Sequence, residues 1–141
     1  MLQITCILFV IVVSIQAQGH GSLEIEMQCL EELNMTMGQV LPYIHTITDP
    51  KDKEGVGEFL ACAWKEHGII DENGHVSGEN VAKYIIDIYS SLNLTNEQED
   101  QIREESKQCE KLKAKELSTL AVKVKNCILI TVDNLSFLPN P

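Results

Sequence analysis

The chain has 141 residues, five cysteines and a formal net charge of −10, with 44% hydrophobic and 23% charged residues. That length suits one domain with a real core and argues against two. The acidity argues against nucleic acid and against anionic membrane surfaces, both of which attract basic patches.

The first apolar run, residues 7–15, is too short to span a bilayer, and Ala17 and Gly19 are small residues suited to signal-peptidase cleavage. Residues 1–18 are therefore expected to be a signal peptide cut at about 17–19, although its n-region lacks the usual basic residue, with 19–141 as a single secreted, extracellular domain. Cleavage removes Cys6 and leaves Cys29, Cys62, Cys109 and Cys127. An oxidising compartment lets four thiols persist as two disulfides, and three connectivities are open to them.

A helix is expected over 23–35, carrying Met27, Leu30 and Leu33, and a short one over 38–46 despite Pro42. Val56, Phe59, Leu60, Ala63 and Trp64 form a helical stripe ended by Gly68 and the turn-rich Asp71-Glu72-Asn73-Gly74. Val81, Tyr84, Ile85, Ile88, Tyr89 and Leu92 follow an i, i+3, i+4, i+7, i+8, i+11 series, with Ser77 as N-cap and Asn93 just past the end. Thr95-Asn96-Glu97-Gln98 has the form of a capping box and predicts a helix over 95–113. Its acidic residues Glu97, Glu99 and Asp100 come first and Lys107, Lys111 and Lys113 last, which complements the helix dipole. Leu117, Leu120, Ala121, Val124 and Ile128 predict a last helix over 116–132, followed by an apolar tail that Pro139 and Pro141 keep from continuing as helix. The count is five or six helices and no strand, so the fold class is all-α. The run 127–132 is brief and broken by Thr131, so no membrane insertion is expected.

Catalytic motifs are missing or broken. Gly55-Val56-Gly57 starts like a dinucleotide loop, but Leu60 stands at the third glycine position and no strand precedes it. Asp71-Glu72-Asn73-Gly74-His75 resembles a calcium loop, yet aligning Gly74 puts Ile69 and Asn80 at the two end ligand positions, which favours an ordinary turn. His67 and Asp71 read as surface residues rather than a metal pair. No catalytic residue, cofactor or metal site is expected. Trp64, Tyr84 and Tyr89 taken alone read as core, and the sequons at Asn34, Asn93 and Asn134 are open to glycosylation on secretion.

Glu58 lies four residues before Cys62, and Ser118 nine before Cys127. In this register the chain resembles the insect odorant-binding proteins of the pheromone and general odorant-binding family. Those carry cysteines at the positions of Glu58 and Ser118 and pair them with each other. Loss of both partners of one bridge is what the four-cysteine "minus-C" subclass displays. The run from Cys62 through Trp64 to Gly74 also looks like the family's third helix and following turn.

The resemblance implies bridges Cys29–Cys62 and Cys109–Cys127 and a compact six-helix bundle around an internal apolar cavity. It implies reversible carriage of odorants, pheromones or similar small hydrophobic molecules, not enzymatic activity. The expected wall is Phe59, Leu60, Ala63 and Trp64, then Tyr84, Ile85 and Ile88, then Leu117, Leu120, Ala121 and Val124, with Phe137 and Leu138 folded back over an entrance. Tyr84 or Tyr89 could add one hydrogen bond to the ligand. Implied partners are that ligand and a chemosensory membrane receptor, with the protein a monomer or weak dimer and no nucleic acid involved. The alternative is a secreted helical signalling protein with a solid core that acts through its exterior.

Overall fold

A computed structural model describes residues 22–51 and 55–140. The expected signal peptide lies outside the described residues. Six α-helices follow one another: α1 Ser22–Glu32, α2 Met37–Ile44, α3 Val56–Glu66, α4 Gly78–Ile88, α5 Asn96–Ser106 and α6 Leu117–Asn134. Short 3₁₀ turns at Ser90–Leu92 and Lys107–Lys111 follow α4 and α5. Among the described residues there is no strand, only an isolated antiparallel bridge between Ile70 and Val76.

The helix starts follow their local chemistry. Ser77 accepts a hydrogen bond from the Asn80 amide at 3.1 Å, so one otherwise unpaired donor of α4 is satisfied. Thr95 and Gln98 exchange both bonds of the capping box, at 2.9 and 3.1 Å. Two of the ends are also local. Asn34 (φ 53°) and Gly68 (φ 70°) adopt left-handed conformations after α1 and α3. The following amides of Met35 and Ile69 then fold back to the carbonyls of Leu30 and Trp64 at 2.8 Å, which satisfies helix-end acceptors.

Several helices end earlier than their stripes predict. α1 stops at Glu32 instead of 35, α4 at Ile88 instead of reaching Leu92, and α5 at Ser106 instead of 113. After α4 and α5 the chain tightens into 3₁₀ turns, which keep nearly the same side-chain spacing while changing direction. The second of these turns carries Cys109 onto α6, where it is bonded to Cys127.

α6 is the central element. Leu120, Ala121, Val122, Val124, Cys127, Ile128 and Val132 are all buried, which covers more than one face of the helix. Its most extensive partner is α3, while α5 packs chiefly on α4. α1 is fixed mainly to α3, and Cys29–Cys62 bonds the two directly. Beyond α6, Leu135 and Leu138 are buried and Phe137 is half-buried, so the tail folds back on the helices. The Tyr89 hydroxyl donates to the Pro139 carbonyl at 2.9 Å and fastens that tail to the end of α4.

Candidate functional site

The apolar stripes of α3, α4 and α6 do not close completely on one another. They leave a cavity of about 270 Å³, lined from α3 by Phe59, Leu60, Ala63 and Trp64 and from α4 by Tyr84, Ile85 and Ile88. The last turns of α6 add Lys125, Ile128, Leu129 and Val132. Met37, Ile44 and His45 close the α2 side, with Glu26 and Tyr89 at the margin. The volume lies just below the roughly 300–1,000 Å³ of pockets for drug-sized ligands, so it suits a small molecule. A groove of about 620 Å³ along α1 is larger, but it is an open surface with Glu24, Gln28, Glu31 and Thr36 on its rim.

Seven residues expected at the site are brought together here: Phe59, Leu60, Ala63, Trp64, Tyr84, Ile85 and Ile88. The others lie outside this wall. Leu120, Ala121 and Val124 are buried in the first turns of α6. Leu117 borders a separate surface depression, and Phe137 packs half-buried against the core. The cavity instead meets α6 one to three turns later, at positions that share the same apolar stripe.

Trp64 is oriented from two directions. Its indole N–H donates to the Ala121 carbonyl at 3.0 Å, and Tyr84 stands edge-on to it with ring centroids 5.2 Å apart. Tyr84 in turn meets His67 edge-on at 4.9 Å, and His67 contacts Glu26 at 3.4 Å. This chain of side chains links α4 through α3 to α1. The Tyr89 hydroxyl donates to the Pro139 carbonyl, so that donor serves the tail.

Lys125 is the residue that sequence reasoning passed over. It is only 4% exposed, and its ammonium donates to the carbonyls of Tyr43 and Thr46 and to Thr48 Oγ1, at 2.7, 2.5 and 2.6 Å. Neighbouring Asn126 grips the same segment through both the amide and the carbonyl of Thr48. A positional signal existed, because Lys125 stands one turn after Ala121 and one turn before Leu129 on the inward side of α6.

Burial lowers the Lys125 pKa from 10.5 to about 8. The folded-state value is thus below the unfolded one, so the cost of burying the charge is present in full below about pH 8 and disappears as pH rises towards 10.5. Stability of the native protein relative to Lys125→Met should therefore rise between about pH 8 and 10.5. Desolvation raises the Tyr89 pKa, which acts with opposite sign but is common to both proteins. Urea unfolding of the pair at pH 7.5 and 10 tests this; a difference independent of pH contradicts it.

The calcium-like segment is occupied with its own turn. The Asp71 carboxylate accepts from the amides of Asn73 and His75 at 2.9 and 2.8 Å and contacts the His75 ring at 3.2 Å. The His75 amide bond leads in holding its carboxyl below the usual range. Among the described residues no group of three or more His, Cys, Asp or Glu could hold a metal ion, and no helix is long and apolar enough to cross a membrane.

A family model described as the PBP/GOBP family matches residues 16–130, most of the chain. No curated protein and no solved structure matches it.

Proposed function

Because the chain belongs to the PBP/GOBP family of insect pheromone- and odorant-binding proteins, whose members are binding proteins for small hydrophobic molecules, we propose that it is a secreted carrier. It takes such a molecule into the cavity between α3, α4 and α6, moves it through aqueous fluid and releases it, for example to a chemosensory membrane receptor. The observation that carries this reading is the cavity itself, about 270 Å³ between the helices, partly open to the outside and walled mainly by carbon. Burying a ligand there gains on the order of 25 cal/mol per Å² of apolar surface removed from water, with little need for directional bonds.

The test is uptake of a fluorescent apolar probe followed by displacement with long-chain alcohols, esters and terpenoids. Saturable displacement at micromolar concentrations is expected, corresponding to about 8 kcal/mol of binding. Absence of uptake by folded protein freed of retained ligand would remove the carrier reading.

Within the family we assign the chain to the four-cysteine subclass. Supporting this, Glu58 and Ser118 border one surface depression between α3 and the start of α6. The double variant Glu58→Cys with Ser118→Cys should therefore oxidise to a third bridge and raise the melting temperature by several degrees. Free thiols persisting in the folded, oxidant-treated variant would show the register to be wrong.

A further inference from the structure

Lys125 has a chemistry that carriage of an uncharged molecule does not use. It lines the cavity, and the backbone carbonyls that hold its ammonium belong to Tyr43 and Thr46, on either side of the lining residues Ile44 and His45. All three of its partners are neutral. Among the described residues no carboxylate forms an ion pair with it. Glu26, the carboxylate that does line the cavity, is turned to His67 at 3.4 Å. A buried cation held only by neutral acceptors, without a countercharge, is costly, and the cost falls when an anion is supplied.

We propose that the cavity selects apolar molecules that end in an ionised carboxylate, of the medium-chain fatty-acid type, with Lys125 receiving the carboxylate and the apolar wall taking the chain. This rests on the carrier reading and names its ligand class. The carboxylate replaces a neutral acceptor on the ammonium with an ionised one, giving a charge-assisted bond about twice as strong as the neutral kind. Ile128, Leu129 and Val132, on the turns after Lys125, give the hydrocarbon an apolar surface beside it. An alcohol or ester of equal length gains the same apolar burial but leaves the charge uncompensated. The net charge of −10 opposes an approaching anion, yet physiological salt screens that field beyond about 8 Å, so the effect is on the rate of entry more than on the bound state.

Chain-matched decanoic acid, decanol and decylamine, each displacing a fluorescent apolar probe at pH 7, test the assignment. In the native protein the acid should act at roughly one tenth of the alcohol concentration, with the amine weakest. Lys125→Met should bring the acid-to-alcohol ratio to about one, whatever it does to both affinities together, and Lys125→Arg should preserve the preference. Should Lys125→Met fail to fold, the native ranking still decides, together with the NMR shift of the Lys125 ε-methylene on adding acid compared with alcohol. Decanol equalling or surpassing decanoic acid overturns the acid assignment and leaves the carrier reading standing. Tightest binding of the amine also overturns it and points to Glu26. Failure of the folded protein to take up the probe defeats the carrier reading, and this inference with it.

Discussion

Replacing Cys29 and Cys62 together by serine should lower the unfolding free energy by about 3 to 4 kcal/mol in the chain-entropy account. The bridge closes a separation of 33 residues, against 18 for Cys109–Cys127, so it should be the more costly to remove, by about half a kcal/mol. For a domain whose total stability is of order 5–15 kcal/mol, either loss is large. The two should also differ in kind. α1 is held chiefly by α3 and leaves Leu23 and Met27 exposed at 67% and 53%, so without its bridge it depends on weaker contacts such as those of Leu30 and the Glu26–His67 pair. Hydrogen exchange of α1 should then accelerate ahead of global unfolding, and the cavity should lose Glu26 from its margin. Loss of Cys109–Cys127, attached to the central helix, should destabilise the whole bundle together. Urea unfolding followed by far-UV circular dichroism measures both costs. A loss below about 1 kcal/mol for Cys29–Cys62 would mean that packing alone secures α1.

Trp64→Ala should cost a similar amount, about 3 to 5 kcal/mol, because it empties a site that is 4% exposed and already borders a void. The surroundings cannot collapse far to fill the space, since Trp64 stands between α6 and Tyr84. The Ala121 carbonyl loses the indole donor. Trp64→Phe keeps an aromatic ring against Tyr84 and should cost less, about 1 to 2 kcal/mol for the lost hydrogen bond and volume. Chemical unfolding monitored by circular dichroism is the suitable readout, since both substitutions remove the tryptophan signal. Equal costs for the two variants would show that the hydrogen bond, not the ring, holds the position.

Much of the bundle was legible because its signals are local. The Ser77 cap, the Thr95–Gln98 box, the Gly68 stop and the apolar spacing of α3 and α4 each lie within a few residues of the element they define. The helix ends at Ile88 and Ser106 were not legible, because a 3₁₀ turn continues an apolar or charged pattern almost unchanged. The cavity was half legible. A stripe marks which side of α6 faces inward, but not where neighbouring helices separate, so Leu120, Ala121 and Val124 could not be told from Ile128 and Val132. Lys125 was hidden for another reason. A lysine in a helix reads as solvent-facing, and its partners Tyr43, Thr46 and Thr48 are 77 to 82 residues away, beyond any local pattern.

The most direct measurement is fluorescence titration of the native protein, refolded from denaturant to remove retained ligand, with small apolar alcohols, esters and acids. Trp64 is the single tryptophan of the chain and lines the cavity, so its emission reports occupancy without an added label. A saturable change with one site per chain is expected, reversed when the ligand is extracted, and a smaller response from Ala63→Phe, in which an added ring occupies the same space. An emission spectrum that stays unchanged across a chemically broad panel, in protein proved to be folded, would contradict the carrier reading.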